Sequence, residues 1–268
     1  MSKWYVDKGE QGDIVLSTRV RLARNLEEYP FPCRLDTAGK IKVNEKVRDT
    51  LLSCVPELGL HYVTMDSLSR EQAISLAERH LISPEFASVR EGRALMLTED
   101  ETVGIMLCEE DHIRVQVMKS GLALMDCYVL ADKIDSALDK KLNFAFDERL
   151  GYLTQCPTNL GTAMRASVML HLPALRRSGQ LSVLSSTISK LGLSLRGAYG
   201  EGRESRGDIY QLSNQITLGI TEQAAIENLQ SITRQLVRNA RRRSVCAPIS
   251  PCRIKYTGLS EFCRVRAC

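Results

Sequence analysis

Four short segments hold residues whose types and spacing could do chemistry. Ser17-Thr18-Arg19-Val20-Arg21 sets two arginines two positions apart, so on an extended strand their side chains share a face. Glu109-Glu110-Asp111-His112-Ile113-Arg114 is a compact acidic turn followed by a basic residue. Cys156-Pro157-Thr158-Asn159 opens a stretch that ends at Met164-Arg165. Arg196-Gly197-Ala198-Tyr199-Gly200-Glu201-Gly202 is a glycine-rich loop with one carboxylate, and Asp208 to Asn214 follow it. Taken singly, each has a plain structural explanation: a solvated basic strand, an exposed turn, another turn, a hairpin connection. Taken together they match the needs of phosphoryl transfer to a guanidinium. The donor polyphosphate gathers negative charge in the transition state, so catalysis is mostly positioning and electrostatic stabilisation. Arginine stays charged and grips phosphate oxygens two at a time. The cationic acceptor must be held by carboxylates and lose a proton as it attacks.

The elements that would position these residues can be read from periodicity. Residues 14–22 form a short apolar and basic run. Residues 70–81 carry Ala73, Ile74, Ala77 and Leu81 at helical spacing. Three β-prone runs at 94–97, 103–107 and 113–117 are split by acidic turns and predict an antiparallel meander. A long helix is predicted over 122–142, a turn-rich loop over 151–161 and a strand over 165–172. A helix over 181–191 stops at Gly192. Strands at 193–196 and 209–212 flank the glycine-rich loop. A last helix over 221–237 carries Ile226, Leu229, Ile232 and Leu236 on one face. Strands beside near neighbours, with helices interspersed, predict an α+β fold with a mainly antiparallel sheet flanked by helices. A dinucleotide-binding fold is disfavoured: Gly200-Glu201-Gly202 lacks the third glycine in place, and its loop leads into a strand.

The chain of 268 residues, 44% hydrophobic and 25% charged, is large enough to bury a core. No apolar run approaches the ~20 residues of a membrane span. The stretch from Met1 to Gly12 is polar, with no apolar segment of a secretory signal, so a cytoplasmic location is expected. The net charge of +4 hides an asymmetry. Residues 234–268 hold nine Lys/Arg against Glu261 alone, a net +8 that leaves −4 for the rest. Such a basic end can bind nucleic acid or an anionic membrane, but a solvated, irregular tail is the simpler reading, and neither partner is expected. Cys246, Cys252, Cys263 and Cys268 crowd the last 23 residues at spacings that do not fit a zinc site, and no protein metal site is expected. The other five cysteines read as reduced thiols. The expected organisation is a short lead over 1–16, a catalytic domain over 17–240, and a basic, cysteine-rich, irregular tail over 241–268.

In this order, the four segments resemble the ATP:guanidino phosphotransferases, the family of creatine and arginine kinases. The runs GYLTQCPTNLGTAMRASVMLHLPAL at 151–175 and GDIYQLSNQITLG at 207–219 are similar to its bacterial protein-arginine kinase branch. The resemblance spans roughly residues 13–238. It implies that ATP, with Mg2+ held mainly through the nucleotide, is bound by Arg19, Arg21, Arg114, Arg165 and Arg196. It places the guanidinium-binding carboxylates on Glu110 and Glu201 and the active-site cysteine on Cys156. It implies protein substrates with exposed arginines, and an activator and stress-response regulator or protease partners. Departures bear on acceptor preference: Cys108 stands where the family usually has Asn, Met169 replaces a frequent His, and Arg203 and Ser205 make the acceptor loop more basic. The free-guanidine kinases carry a helical domain before the STRVR segment, whereas 16 residues precede Ser17 here, which favours an acceptor displayed on a protein. The resemblance fades near Arg238, where that branch continues with a helical region, so either a truncation or frameshift or a lineage-specific tail is expected. The alternatives are a kinase for a free guanidino compound such as arginine, and a non-catalytic protein that binds arginine or a regulator.

Overall fold

A computed structural model describes residues 3–198 and 207–246. Its centre is β1 (Val15–Arg24), a ten-residue strand that pairs antiparallel on both edges. After β1 come α1 (Thr37–Cys54), β2 (His61–Thr64), α2 (Arg70–Glu78) and α3 (Pro84–Ser88). The meander β3 (Ala94–Leu97), β4 (Val103–Leu107) and β5 (Ile113–Ser120) leads into α4 (Leu124–Asp139). A small hairpin, β6 (Phe146–Asp147) and β7 (Gly151–Tyr152), precedes β8 (Met164–His171). The chain continues through α5 (Pro173–Arg177), α6 (Leu181–Lys190), β9 (Leu193–Gly197), β10 (Ile209–Asn214) and α7 (Glu222–Cys246). Eight strands form one sheet in the order β2-β3-β4-β5-β1-β8-β10-β9, with every pair antiparallel. The expected α+β class and meander are found.

The two faces of the sheet are built differently. Alternation along β1 turns Thr18, Val20, Leu22 and Arg24 to one side, and along β8 Met164, Ala166, Val168 and Leu170 point the same way. That side is the main core, closed by α1, α4 and α7, with Val43, Val47, Ile134, Leu138, Ile226 and Leu229 fully buried. On the other side, α2 and α3 cover the β3–β4 end. There Leu95 and Met106 pack with Met65, Ala73, Leu76 and Phe86 in a smaller cluster. The remainder of that side, from β5 through β1, β8 and β10 to β9, carries arginines.

Local chemistry sets the helix starts. Asp36 accepts the Gly39 N–H at 2.7 Å and caps α1. Ser69 and Gln72 form a reciprocal capping box on α2. Ser83 accepts the Phe86 N–H ahead of α3, with Pro84 in its first turn.

Several expectations need correction. The buried face of α2 is Ala73 and Leu76, and Ile74 is exposed. The last helix continues well past the expected end at 237 and past the domain boundary at 240, to Cys246. Arg241 there makes a two-pronged ion pair with Asp13 at 2.7 and 2.9 Å. Residues 247–268, the rest of the expected tail, lie outside the described residues, as do Glu201, Arg203 and Ser205.

Candidate active site

The site begins with the register of β1. Arg21 lies opposite Arg165 of β8 and opposite Gln116 of β5. Ala23, one alternation on, faces Arg114, so Arg114 shares the Arg21 side of the sheet. On the far edge, Arg196 of β9 pairs with Gln211 of β10, which pairs with Met169 on the Arg165 side of β8. The Arg19 guanidinium reaches Gln211 Oε1 at 3.5 Å. Four strands therefore bring Arg19, Arg21, Arg114, Arg165 and Arg196 to one side of the sheet. Arg165 and Arg196 also line a cavity of about 510 Å³ together with Pro157, Thr158, Leu160 and Thr217.

Like charges directly opposite each other on a sheet are unfavourable. Burial, then Arg19, Arg114 and Arg165, push the Arg21 pKa well below its usual range, while Glu109 works the other way. A guanidinium keeps its proton in proteins, so this direction marks a charge that is costly to bury and is crowded by other cations. Among the described residues, the buried Nε–H groups of Arg21 and Arg165 also have no hydrogen-bond partner. An unpaired buried donor is costly. A multiply charged anion with several oxygens would relieve both penalties.

The two glutamates of the acidic turn have different environments. Glu109 is ion-paired with Arg114 and accepts a hydrogen bond from Ser83. Burial works against its charge, but Arg114, these hydrogen bonds and Arg93 outweigh it and hold the pKa down. Glu110 is largely exposed and forms no such pair among the described residues. Partial burial, then Asp111 and Glu109, push its pKa up against the opposing pull of Arg114 and Arg165. Of the two, Glu110 is the carboxylate better suited to take a proton.

Asp111 and His112 are turned inward and hold the backbone. Asn25 Nδ2 donates to Asp111 Oδ1 at 2.6 Å, and the Gln155 N–H donates to the same oxygen at 2.9 Å. The Leu26 N–H donates to His112 Nδ1, which leaves the ring proton on Nε2, 3.0 Å from the Pro30 carbonyl. Asp111 thus ties the turn of Glu110 to the loop of Cys156. Within that loop, Cys156 Sγ is 3.0 Å from Thr158 Oγ1, and Thr217 Oγ1 donates to the Leu160 carbonyl at 2.7 Å. Gly161 closes the loop at φ +100, where a Cβ would lie 2.1 Å from the Thr217 carbonyl oxygen.

Sequence reasoning missed several residues at this site. Asp111 and His112 carry no assigned role in the sequence motif, and Asn25 lies outside it. His80 lies near enough to Arg19 that burial and that charge both lower its pKa. It ends α2 in a left-handed conformation, φ +60, with the Leu81 N–H bonded to the Leu76 carbonyl. A position that glycine would fill at less cost holds an imidazole instead. Cys108 also has positive φ, +56. Asn adopts that conformation more readily than most residues, which rationalises Asn at this place in the resembling family. Burial pushes the thiols of Cys108 and Cys127 up to about 12, so both remain protonated packing residues.

Comparison with known proteins identifies the family. The family profile "ATP:guanido phosphotransferase, C-terminal catalytic domain" matches residues 42–243. A protein-arginine kinase of Halothermothrix orenii is 46% identical over 241 residues, covering 90% of this chain and 69% of that protein. One of Brevibacillus brevis is 45% identical over 242 residues, covering 90% and 68%. Among solved structures, the duplicated taurocyamine kinase of Schistosoma mansoni with bound transition-state-analogue components superposes with a TM-score of 0.78 at 33% identity. That match covers 87% of this chain and 33% of the other. A lombricine kinase shares the fold, with a TM-score of 0.76 at 24% identity over 88% of this chain and 69% of the other. The chain belongs to the ATP:guanido phosphotransferase family, through that family's C-terminal catalytic domain.

Proposed function

We propose that this chain transfers the γ-phosphoryl group of ATP to arginine side chains of proteins. The observation that carries this reading is the set of arginines on one sheet side, with unpartnered buried Nε–H groups on Arg21 and Arg165. Relatives at 45–46% identity named protein-arginine kinases support the acceptor. In this reading Arg19, Arg21, Arg165 and Arg196 hold the phosphates, and Arg114, steered by Glu109, completes the set. A guanidinium nitrogen of the substrate attacks the γ-phosphorus as the bond to the β–γ bridging oxygen breaks, ADP leaves, and the nitrogen's proton passes to a carboxylate. Glu110 is that base or shares the task with Glu201, and both orient the acceptor, with Cys156 beside the attacking nitrogen. The described residues include no cluster of three or more His, Cys, Asp or Glu suited to a metal ion. Arginines repel a cation, so Mg2+ enters on the nucleotide's own oxygens.

No helix among the described residues is long and apolar enough to cross a membrane, and we place the protein in the cytoplasm. Its required partners are proteins with exposed arginines. An activator, a stress-response regulator or a protease partner follows from the family resemblance. The test is incubation with Mg-ATP and an arginine-rich unfolded protein, followed by assay for acid-labile phosphoarginine. Phosphoarginine on the protein is expected. Phosphorylation of free arginine alone, or ATP bound with no transfer, would overturn the reading in favour of a free-guanidine kinase or a binding protein.

A further inference from the structure

β1 holds a third arginine that the proposed chemistry does not use. Arg24 follows Arg21 by three positions, so alternation turns it through the sheet into the core, where it is fully buried. Its Nη2 donates to Asp135 Oδ2 of α4 at 2.7 Å and its Nε to the same oxygen at 3.2 Å. Glu222, in the first turn of α7, lies 3.5 Å from Nη2. Nη1 donates to the Ala23 carbonyl of β1 itself at 2.9 Å, and two further contacts point to the Cys156 loop. Nη1 donates to the Thr162 carbonyl at 3.1 Å, immediately after the loop closes at Gly161. The Arg24 Cζ sits 3.5 Å from the centre of the Tyr152 ring, at the loop's beginning. One guanidinium therefore touches both ends of the segment that carries Cys156, and two helices hold that guanidinium from behind.

We infer that Arg24 is a positioning residue: anchored by Asp135 and Glu222, it grips Tyr152 and Thr162 and so fixes the Cys156 loop against the arginine side of the sheet. The consequence for catalysis rests on the proposed kinase activity, whereas the mechanical claim does not. A cation over an aromatic face is favourable, more so when both are withdrawn from water. The planar guanidinium serves the carboxylate, the carbonyl and the ring at once, and a lysine ammonium cannot. Loosening the loop displaces the acceptor side while leaving the strands that carry the five arginines in place, and small misplacements of reacting groups carry large rate penalties.

Tyr152→Leu and Arg24→Lys test this. Tyr152→Leu removes the ring and leaves the ion network in place, so it guards against a simple folding failure of the arginine variant. Hydrogen exchange is read at the Gln155 amide, bonded to Asp111, and at the Gly161 amide, bonded to the Leu150 carbonyl. Peptide-resolved alkylation of Cys156 is read alongside. Both variants are expected to raise exchange at these amides and the Cys156 alkylation rate about tenfold. They are also expected to lower kcat by about tenfold or more, with KM for ATP within about twofold. Tyr152→Phe, which keeps the ring face, is expected to restore wild-type values. Unchanged exchange in Tyr152→Leu and Arg24→Lys, a matching rise in KM for ATP, or a Tyr152→Phe variant as impaired as Tyr152→Leu would each overturn the inference. If the wild-type chain transfers no phosphoryl group, the exchange and alkylation results still decide the positioning role, and the proposed activity alone falls.

Discussion

The two sides of β1 solve opposite electrostatic problems with the same residue type. On one side, Arg19 and Arg21 stand beside Arg114 and Arg165, with Glu109 the acid that tempers them. On the other side, Arg24 is a single cation facing two carboxylates, Asp135 and Glu222, with an aromatic ring on its plane. Among the described residues, cations outnumber anions in the first arrangement and anions outnumber cations in the second. Burial raises the pKa values of Asp135 and Glu222, and Arg24 pulls both back. A cation surplus at an accessible cavity is suited to binding an anionic ligand. A buried cation with its hydrogen bonds filled is suited to holding structure.

The sharpest way to break this comparison is to remove one arginine from each side. Arg165→Ala should lower turnover by roughly 10³-fold, the scale attached to a charge-stabilising arginine in phosphoryl transfer. It should leave the melting temperature unchanged or higher, because it relieves the repulsion with Arg21. Steady-state kinetics and a thermal melt check both. Arg24→Met should do the reverse and destabilise the fold by about 3–5 kcal/mol, since it strands the buried Asp135 and the half-buried Glu222. Chemical denaturation measures that loss. Carboxyls whose pKa is raised by folding favour the folded state more as pH falls through the raised value. The Arg24→Met deficit should therefore be smaller near about pH 5 than near about pH 8.

A smaller effect separates the two acids of the Glu109-Glu110 turn. The Glu110 pKa is raised and, in the proposed reaction, its ionised form takes the proton, so activity should fall as pH drops through that raised value, at a higher pH than an ordinary glutamate would give. Glu110→Asp should move this limb of the pH profile. Glu109→Gln should move the limb toward lower pH, because the Glu109 charge is one of those that raise the Glu110 pKa, and should also weaken nucleotide binding, because Glu109 orients Arg114.

Much of this was legible in the sequence, because strand periodicity is local. The spacing of Arg19 and Arg21 gives a shared face, and the meander from 94 to 117 is announced by its acidic turns. The same alternation, carried three residues further, marks Arg24 as core-facing, but a reading confined to the motif stops at Arg21. The pairing of Arg21 with Arg165 was not legible, since register across distant strands depends on the packing of the whole sheet. α1 was missed because its buried stripe is narrow, Val43, Val47 and Leu51 on an otherwise polar helix. The inward turn of Asp111 and His112 was missed because charged residues in a turn read as exposed, while here Asn25, Gln155 and Leu26 fill their hydrogen bonds.

The central claim is that nucleotide phosphates lie on the Arg19 and Arg21 side of β1 and that Arg24 serves structure alone. The most direct test follows the arginine Nε–H resonances of the labelled protein by NMR as MgADP is added. The Nε–H signals of Arg21 and Arg165, unpartnered in this structure, should shift strongly, while that of Arg24, bonded to Asp135, should stay where it is. Arg21 and Arg165 signals indifferent to MgADP, or a shift confined to Arg24, would contradict the account.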